Sequence, residues 1–275
     1  MCRSLYVVFL LSFIFIGCTP NNVIQDKSLQ EFFEDEKADG CFGLFDNVKG
    51  TFTIYSLQRF KDSAYSPAST FKIVNSLIGI QTGRVKDSSA VIPWDGVTRQ
   101  IKEWNSDLTM MQAFHVSSVP WFQELARRIG KDTMQKWIDT LGYGAVTSGG
   151  RAVIKTIDSF WLDNSVKITA DEQLGLVKKL YFNQLPFFNR TQEIVKRMML
   201  EEDNSNFRLS YKTGWGQTKA GNPLGWIVGW IEENKHPYFF VLQVESPDPN
   251  YDMAGARIRL LKKILGKYGF MEGRK

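Results

Sequence analysis

The chain has 275 residues, of which 43% are hydrophobic, 13% aromatic and 23% charged, and its formal net charge is +5. This composition is typical of a folded globular protein and excludes disordered and collagen-like chains. Three cysteines are too few for a disulfide framework, and two histidines are too few for a histidine-rich zinc site. The scarcity of histidine also disfavours a Ser-His-Asp hydrolase, whose G-x-S-x-G motif is absent from the sequence.

Residues 1–17 have the pattern of a signal peptide, with Arg3 followed by an apolar stretch of twelve residues from Leu5 to Ile16. Twelve residues are too few to span a bilayer as a helix. The sequence FIGC at 15–18 resembles the lipobox of bacterial lipoproteins, which implies a signal peptide of the lipoprotein type and acylation of Cys18. A plain secretory signal and an uncleaved anchor are the alternatives. Export in lipoprotein or secretory form predicts a location in the periplasm or cell envelope.

Residues 18–39 are predicted to form a polar tether, and residues 40–275 a folded domain. With Cys2 in the signal peptide and Cys18 acylated, Cys41 is expected to be unpaired. The basic segment 257–268 has apolar residues at helical spacing and predicts an amphipathic C-terminal helix. No recognition motif accompanies this charge, so no nucleic-acid partner is expected.

The predicted elements run from a β-rich start through a helical middle to a β-rich end. Turn residues and alternation predict a hairpin that ends near Gln58, and Ser66, as N-cap, begins a helix that ends near Gln81. Further helices are predicted at 121–130, 132–142, 169–183 and 191–200, and strands at 206–214, 225–231 and 238–244. This order predicts an α+β fold, an antiparallel sheet flanked by helices with an inserted all-helical lobe.

The sequence Ser69-Thr-Phe-Lys72 places a serine and a lysine on one face of a helix, near its N-terminus. A serine hydroxyl becomes a nucleophile when a base takes its proton, and a lysine acts as that base only when it is neutral. Burial lowers the pKa of a lysine and so favours the neutral amine. The S-x-x-K spacing alone is a weak indication, because a solvated helix face can contain it too.

Two further motifs follow in order, Ser117-Ser118-Val119 at the start of a helical segment and Lys212-Thr213-Gly214 at the end of a strand. The lysine supplies a cation for an anionic substrate, and the glycine lets that substrate approach the strand backbone. The three motifs in this order are the signature of penicillin-recognising serine enzymes.

The combination resembles the class D β-lactamases, the oxacillinases, because Val119 stands where transpeptidases and class A β-lactamases usually have Asn. The segments YSPASTFKI at 65–73, WDG at 94–96, ELARRIG at 124–130, FWLD at 160–163 and GWIVGWIE at 225–232 add to the resemblance, which covers residues 40–270. It implies the serine β-lactamase/penicillin-binding transpeptidase-like fold and hydrolysis of β-lactam antibiotics such as penicillins, giving antibiotic resistance. A penicillin-binding DD-peptidase and a β-lactam sensor domain, which are acylated without turnover, are the alternatives.

The resemblance also implies roles for single residues. Ser69 is the nucleophile, Lys72 is carboxylated by CO2 to a carbamate that serves as general base, and Ser117 relays a proton. Substrate binding falls to Lys212, Thr213, Gly214, Trp215 and Arg257, and the carbamate pocket to Phe71, Val119 and Trp161. No metal or further cofactor is implied. The expected partner is a small-molecule β-lactam, and the membrane is contacted only through the lipid anchor at Cys18.

The sequence departs from the family pattern at Ala145, where the family usually has Asn after Tyr-Gly. Because the nucleophile and base are intact, altered efficiency or substrate spectrum is expected and not loss of the reaction. His115, two residues before Ser117, is expected to be a structural neighbour of the site and not a participant.

Overall fold

The computed structural model describes residues 22–275, so the predicted signal peptide and Cys18 lie outside the described residues. These residues form eleven strands: β1 Val23–Gln25, β2 Asp39–Asp46, β3 Thr51–Tyr55, β4 Ala64–Tyr65, β5 Val91–Ile92, β6 Leu108–Thr109, β7 Ile168–Thr169, β8 Leu200–Asp203, β9 Arg208–Gln217, β10 Pro223–Glu233 and β11 His236–Glu245. Within the same range lie nine α-helices: α1 Gln30–Asp35, α2 Leu57–Asp62, α3 Lys72–Gln81, α4 Met110–His115, α5 Val119–Ile129, α6 Lys131–Leu141, α7 Ala170–Tyr181, α8 Asn189–Met198 and α9 Met253–Lys267.

Seven strands form the main sheet in the order β1-β3-β2-β11-β10-β9-β8. Every neighbouring pair is antiparallel except β1 and β3, which run parallel. The predicted α+β architecture with an antiparallel sheet is therefore confirmed, with the edge strand β1 as the exception. Strand β9, which carries the K-T-G motif, lies next to β10 and one strand from the edge.

The sheet is covered by helices on both faces, as its central strands require. Along β10, Trp226, Val228 and Trp230 belong to one apolar cluster, and Ile227 and Ile231 belong to another on the opposite face. A strand buried on both sides is apolar at every position and not at alternate positions. Helix α9 packs on β10 and β11, and α7 packs on the other face of the same strands. The sheet is thus a buried middle layer between helices.

The predicted helical lobe lies between β3 and β8 and contains α2 to α8. The helices predicted at 121–130, 132–142, 169–183 and 191–200 are present, with ends that differ by about two residues. The lobe is not wholly helical, because β4 pairs with β7 and β5 pairs with β6. The six-residue helices α2 and α4 were not predicted, since so few residues carry no clear periodicity.

The prediction of a polar tether is wrong for residues 23–39. Strand β1 pairs with β3. Leu29, just before α1, and Phe33, within α1, are buried in the apolar cluster under α9. The Tyr268 hydroxyl donates to the Asp26 carboxylate at 2.9 Å, which joins this segment to the end of the C-terminal helix. The folded domain therefore begins well before residue 40, because a few apolar side chains in a polar segment are enough to dock it.

Candidate active site

Ser69 lies in a 3-10 helix, Ala68–Phe71, that runs directly into α3. The predicted N-cap is wrong, because the Ser66 hydroxyl donates to the backbone carbonyl of Trp161 at 2.6 Å and caps nothing. Ala68 has a φ of +48°, a left-handed conformation that costs a residue other than glycine about 1–3 kcal/mol. The surrounding structure therefore holds a strained turn immediately before Ser69.

Lys72 is buried, and its Nζ lies 2.7 Å from the Oγ of Ser69. The amine lies 5.4 Å from the centre of the Phe122 ring. Burial lowers the pKa of Lys72 well below its usual value, and the charge of Lys212 lowers it further. The i to i+3 spacing has thus produced a serine beside an amine that readily gives up its proton.

Ser117 and Lys212 form a second serine–lysine pair. Ser117 connects α4 to α5 with a φ of +52°, and its Oγ accepts a 2.6 Å hydrogen bond from the Nζ of Lys212 on β9. The same amine lies 3.4 Å from the hydroxyl of Thr213. Burial, assisted by the charge of Arg257, lowers the pKa of Lys212 to about 7.

At Gly214, β9 passes close to the Ser69 turn. A Cβ at this position would lie 3.0 Å from the carbonyl oxygen of Pro67 and 3.2 Å from Cγ2 of Thr70. The guanidinium of Arg257, on α9, donates to the carbonyl oxygen of Gly214. Burial lowers the pKa of Arg257 to about 10, which leaves it a cation at neutral pH. Lys212, Thr213, Gly214 and Arg257 are therefore brought together.

Phe71 and Trp161 form an apolar wall behind the nucleophile. Their rings stack with centroids 5.5 Å apart, and both side chains are buried. The indole Nε1 of Trp161 has no hydrogen-bond partner within residues 22–275. A buried donor without a partner is uncommon and indicates a place for an acceptor.

A cavity of about 220 Å³ opens over these groups, and it is lined by Ser69, Ile101, Trp104, Val116, Ser117, Val119, Thr213, Trp215 and Arg257. Trp215 is 56% exposed at its rim. Val119 lines the cavity beside Ser117, so of the three predicted pocket residues it is the one placed on the open side. Ile101 and Trp104 were not predicted as site residues, because they lie in a connecting segment with no motif.

Comparison with known proteins gives one consistent result. Residues 37–266 match the family described as penicillin binding protein transpeptidase domain. The β-lactamase OXA-48 of Klebsiella pneumoniae is 37% identical over 95% of this chain and 96% of its own. The solved class D β-lactamase YbXI from Nostoc is 34% identical with a TM-score of 0.82, covering 90% of this chain and 100% of that one.

The chain belongs to the class D β-lactamase family. The predicted family and the transpeptidase-like fold are thereby confirmed. The fold is shared more widely, since the C-terminal domain of the Bacillus licheniformis BlaR penicillin receptor is 28% identical with a TM-score of 0.83, over 92% of this chain and 99% of that one.

Ala145 and His115 do not line the cavity of this class D chain. Ala145 belongs to a turn in which Tyr143 packs edge-on against Phe71, with centroids 5.4 Å apart. His115 lies outside the cavity lining, and its Nδ1 is 3.4 Å from a carboxylate oxygen of Glu201. Cys41 is buried in the core and has no disulfide partner among residues 22–275.

Residues 22–275 contain neither a cluster of metal ligands nor a helix that could span a membrane. No group of three or more His, Cys, Asp and Glu side chains in this range is arranged to hold a metal ion. Within the same described part of the chain, no helix combines the length and apolar character needed to cross a membrane.

Proposed function

We propose that this class D protein hydrolyses β-lactam antibiotics such as penicillins through an acyl-enzyme on Ser69. The observation that carries this proposal is the 2.7 Å contact between Ser69 Oγ and the buried amine of Lys72. The relatives that match over nearly their whole length are named β-lactamases. Their names support the same reaction here and a role in antibiotic resistance.

Acylation forms a bond between Ser69 Oγ and the lactam carbonyl carbon and breaks the lactam C–N bond. The proton of Ser69 goes to the side chain of Lys72, and the lactam nitrogen receives a proton through Ser117, which accepts a hydrogen bond from Lys212. Water then attacks the ester, which restores the Ser69 hydroxyl and releases the opened β-lactam. The two serine–lysine pairs thus divide the proton transfers between them.

The residues around Lys72 fit its carboxylation by CO2. Carbamate formation needs a neutral amine, and burial lowers the pKa of Lys72 in the required direction. The wall made by Phe71 and Trp161 is apolar, and the Trp161 Nε1 hydrogen has no partner among the described residues, so it is free to donate to a carbamate oxygen. CO2 bound on Lys72 supplies a general base for acylation and deacylation.

Substrate binding is assigned to the far side of the cavity. Lys212, Thr213 and Arg257 hold the carboxylate of the β-lactam, for which the guanidinium offers paired donors. The backbone N–H groups of Ser69 and Trp215 stabilise the oxyanion of the tetrahedral intermediate. The apolar side chains of Ile101 and Trp104 line the same cavity, where they contact the uncharged part of the substrate.

The test compares turnover with acylation alone. The purified protein is mixed with an excess of benzylpenicillin, and the mass of the protein and the amount of penicilloate are followed together. We expect many equivalents of product and a transient mass increase that is absent from Ser69→Ala. A permanent mass increase without release of penicilloate would contradict the proposal and would instead indicate a DD-peptidase or a sensor.

We also propose that the chain is exported to the periplasm or cell envelope and anchored by a lipid on Cys18. The apolar stretch 5–16 and the sequence FIGC at 15–18 support this proposal. Mass spectrometry of the mature protein tests it: a diacylglyceryl-modified N-terminal Cys18 is expected, and an unmodified N-terminus beyond Cys18 would contradict it.

A further inference from the structure

The turn that carries Ser69 is held from two sides by contacts that the catalytic motifs do not contain. The N–H of Ala68 donates to the carbonyl oxygen of Trp161 at 2.9 Å, which ties the turn to the helical lobe. The indole of Trp226 donates to the carbonyl oxygen of Ser66 at 2.9 Å, which ties it to the sheet. Such restraint is needed because Ala68 is in the left-handed region and would relax if it were free.

A third restraint comes from Gln173, a fully buried residue of α7. Its Nε2 donates to the Oγ1 of Thr70 at 3.0 Å, and that hydroxyl donates in turn to the carbonyl oxygen of Pro67 at 2.7 Å. An amide nitrogen is only a donor, so the Thr70 hydroxyl must accept from it and direct its own proton to Pro67. The chain of two hydrogen bonds thus fixes the peptide just before Ala68.

We propose that Gln173 is a positioning residue for the nucleophile, holding the strained Pro67–Ala68 turn so that Ser69 Oγ and its backbone N–H keep their geometry for the reaction. Gln173 does not line the cavity, so it acts through Thr70. The inference rests on the proposed function, because it assigns Gln173 a part in that same reaction. Small displacements of a nucleophile or an oxyanion donor are costly, which makes kcat the sensitive readout.

The chain offers a matched control in Gln192, a second fully buried glutamine, on α8. Its amide donates to the carbonyl oxygens of Leu185 and Phe187 at 3.1 and 2.8 Å, away from the site. Gln192 also accepts from the N–H of Leu185 at 3.2 Å, so Gln192→Leu removes three buried hydrogen bonds where Gln173→Leu removes one. The control should therefore lower the melting temperature at least as much. Only Gln173→Leu is expected to lower kcat, by about tenfold or more, with KM changed by less than about threefold.

Two further variants separate positioning from packing. If Gln173 acts through Thr70, then Thr70→Val should lower kcat too, and the double variant should be no worse than the poorer single variant. In Gln173→Glu, a protonated carboxyl can donate to Thr70 and an ionised one cannot, so its kcat relative to wild type should rise as the pH falls. This variant also decides the question if Gln173→Leu does not fold.

The outcomes distinguish this inference from the proposed function. A wild-type protein without turnover would contradict the proposed function and is therefore measured first. Given wild-type turnover, a kcat for Gln173→Leu that matches Gln192→Leu would overturn the positioning role. Additive losses in the double variant, or a Gln173→Glu whose relative kcat does not change with pH, would overturn it as well.

Discussion

The Nζ of Lys72 lies 2.7 Å from the Oγ of Ser69, and that buried amine is exposed to the like charge of Lys212. Burial and the neighbouring cation both favour the neutral form. A second lysine, Lys212, lies 2.6 Å from the Oγ of Ser117 and has a pKa of about 7. The site thus contains two lysines of lowered pKa where many hydrolases have a histidine.

Replacing Lys72 should remove the base while leaving the fold intact. For Lys72→Ala we expect acylation and steady-state turnover to fall by about 10³-fold or more, since a positioned base contributes about 10²–10⁴-fold and nucleophile activation is lost with it. Stopped-flow acylation and kcat are measured together. The control is Lys196→Ala, whose amine contacts Glu193 and the carbonyl oxygen of Tyr181 away from the cavity. Wild-type turnover in Lys72→Ala would exclude the assigned base.

The Trp161 indole hydrogen is predicted to serve deacylation more than acylation. Trp161→Phe keeps an aromatic ring beside Phe71 and the backbone carbonyl that binds Ala68, and it removes the unpartnered Nε1 together with part of the indole ring. We expect measurable acylation, accumulation of the acyl-enzyme, and a greater need for bicarbonate. Trp121→Phe is the control, because the Trp121 indole donates to the carbonyl oxygen of Leu108. Unchanged steady-state turnover in Trp161→Phe would count against the carbamate.

Burial of the Lys212 charge should cost stability in a pH-dependent way. Its folded-state pKa of about 7 is below the unfolded value of about 10.4, so between these values the unfolded chain binds more protons and stability rises with pH. Lys212→Met should therefore be more stable than wild type at low pH. That advantage should be largest below pH 7 and shrink, by up to about 1.4 kcal/mol per pH unit, as the pH approaches 10.

Thermal melts of both proteins at several pH values measure this difference. Lys136→Met, at an exposed position of α6, is the control and should show almost none of this pH dependence. A stability difference for Lys212→Met that is the same at pH 6 and pH 10 would contradict the buried charge. Activity should be lost in Lys212→Met at every pH, because the cation for the substrate carboxylate is missing.

Restoring the family residue at position 145 should change the substrate spectrum. A cavity of about 220 Å³ lies beside Ala145, so Ala145→Asn fits with a change in unfolding free energy of about 0.5 kcal/mol or less. One new hydrogen bond of about 1 kcal/mol corresponds to about fivefold in kcat/KM for the substrates that depend on this wall. The ratio of kcat/KM for penicillin to kcat/KM for oxacillin is compared in wild type, Ala145→Asn and the control Val146→Asn, whose position is exposed. Identical ratios in all three proteins would refute the expectation.

The sequence predicts local features of this molecule well and distant ones poorly. Ser69 and Lys72 are one helical turn apart, so their proximity was predicted correctly. The long apolar runs of β10 and β11 are typical of buried strands, and these strands were predicted correctly too. Gln173 could not be found in this way, because it is about a hundred residues from Thr70 and becomes relevant only when α7 packs against the turn. The docking of residues 23–39 depends likewise on surfaces of β3 and α9 that the segment itself does not reveal.

The most direct measurement is the time course of a chromogenic cephalosporin mixed with the purified protein, with and without added bicarbonate. If Ser69 is acylated and then freed by a carbamate on Lys72, product forms over many turnovers and bicarbonate raises the rate. A burst of one equivalent followed by a plateau, unchanged by bicarbonate, would contradict hydrolysis by the Ser69–Lys72 pair.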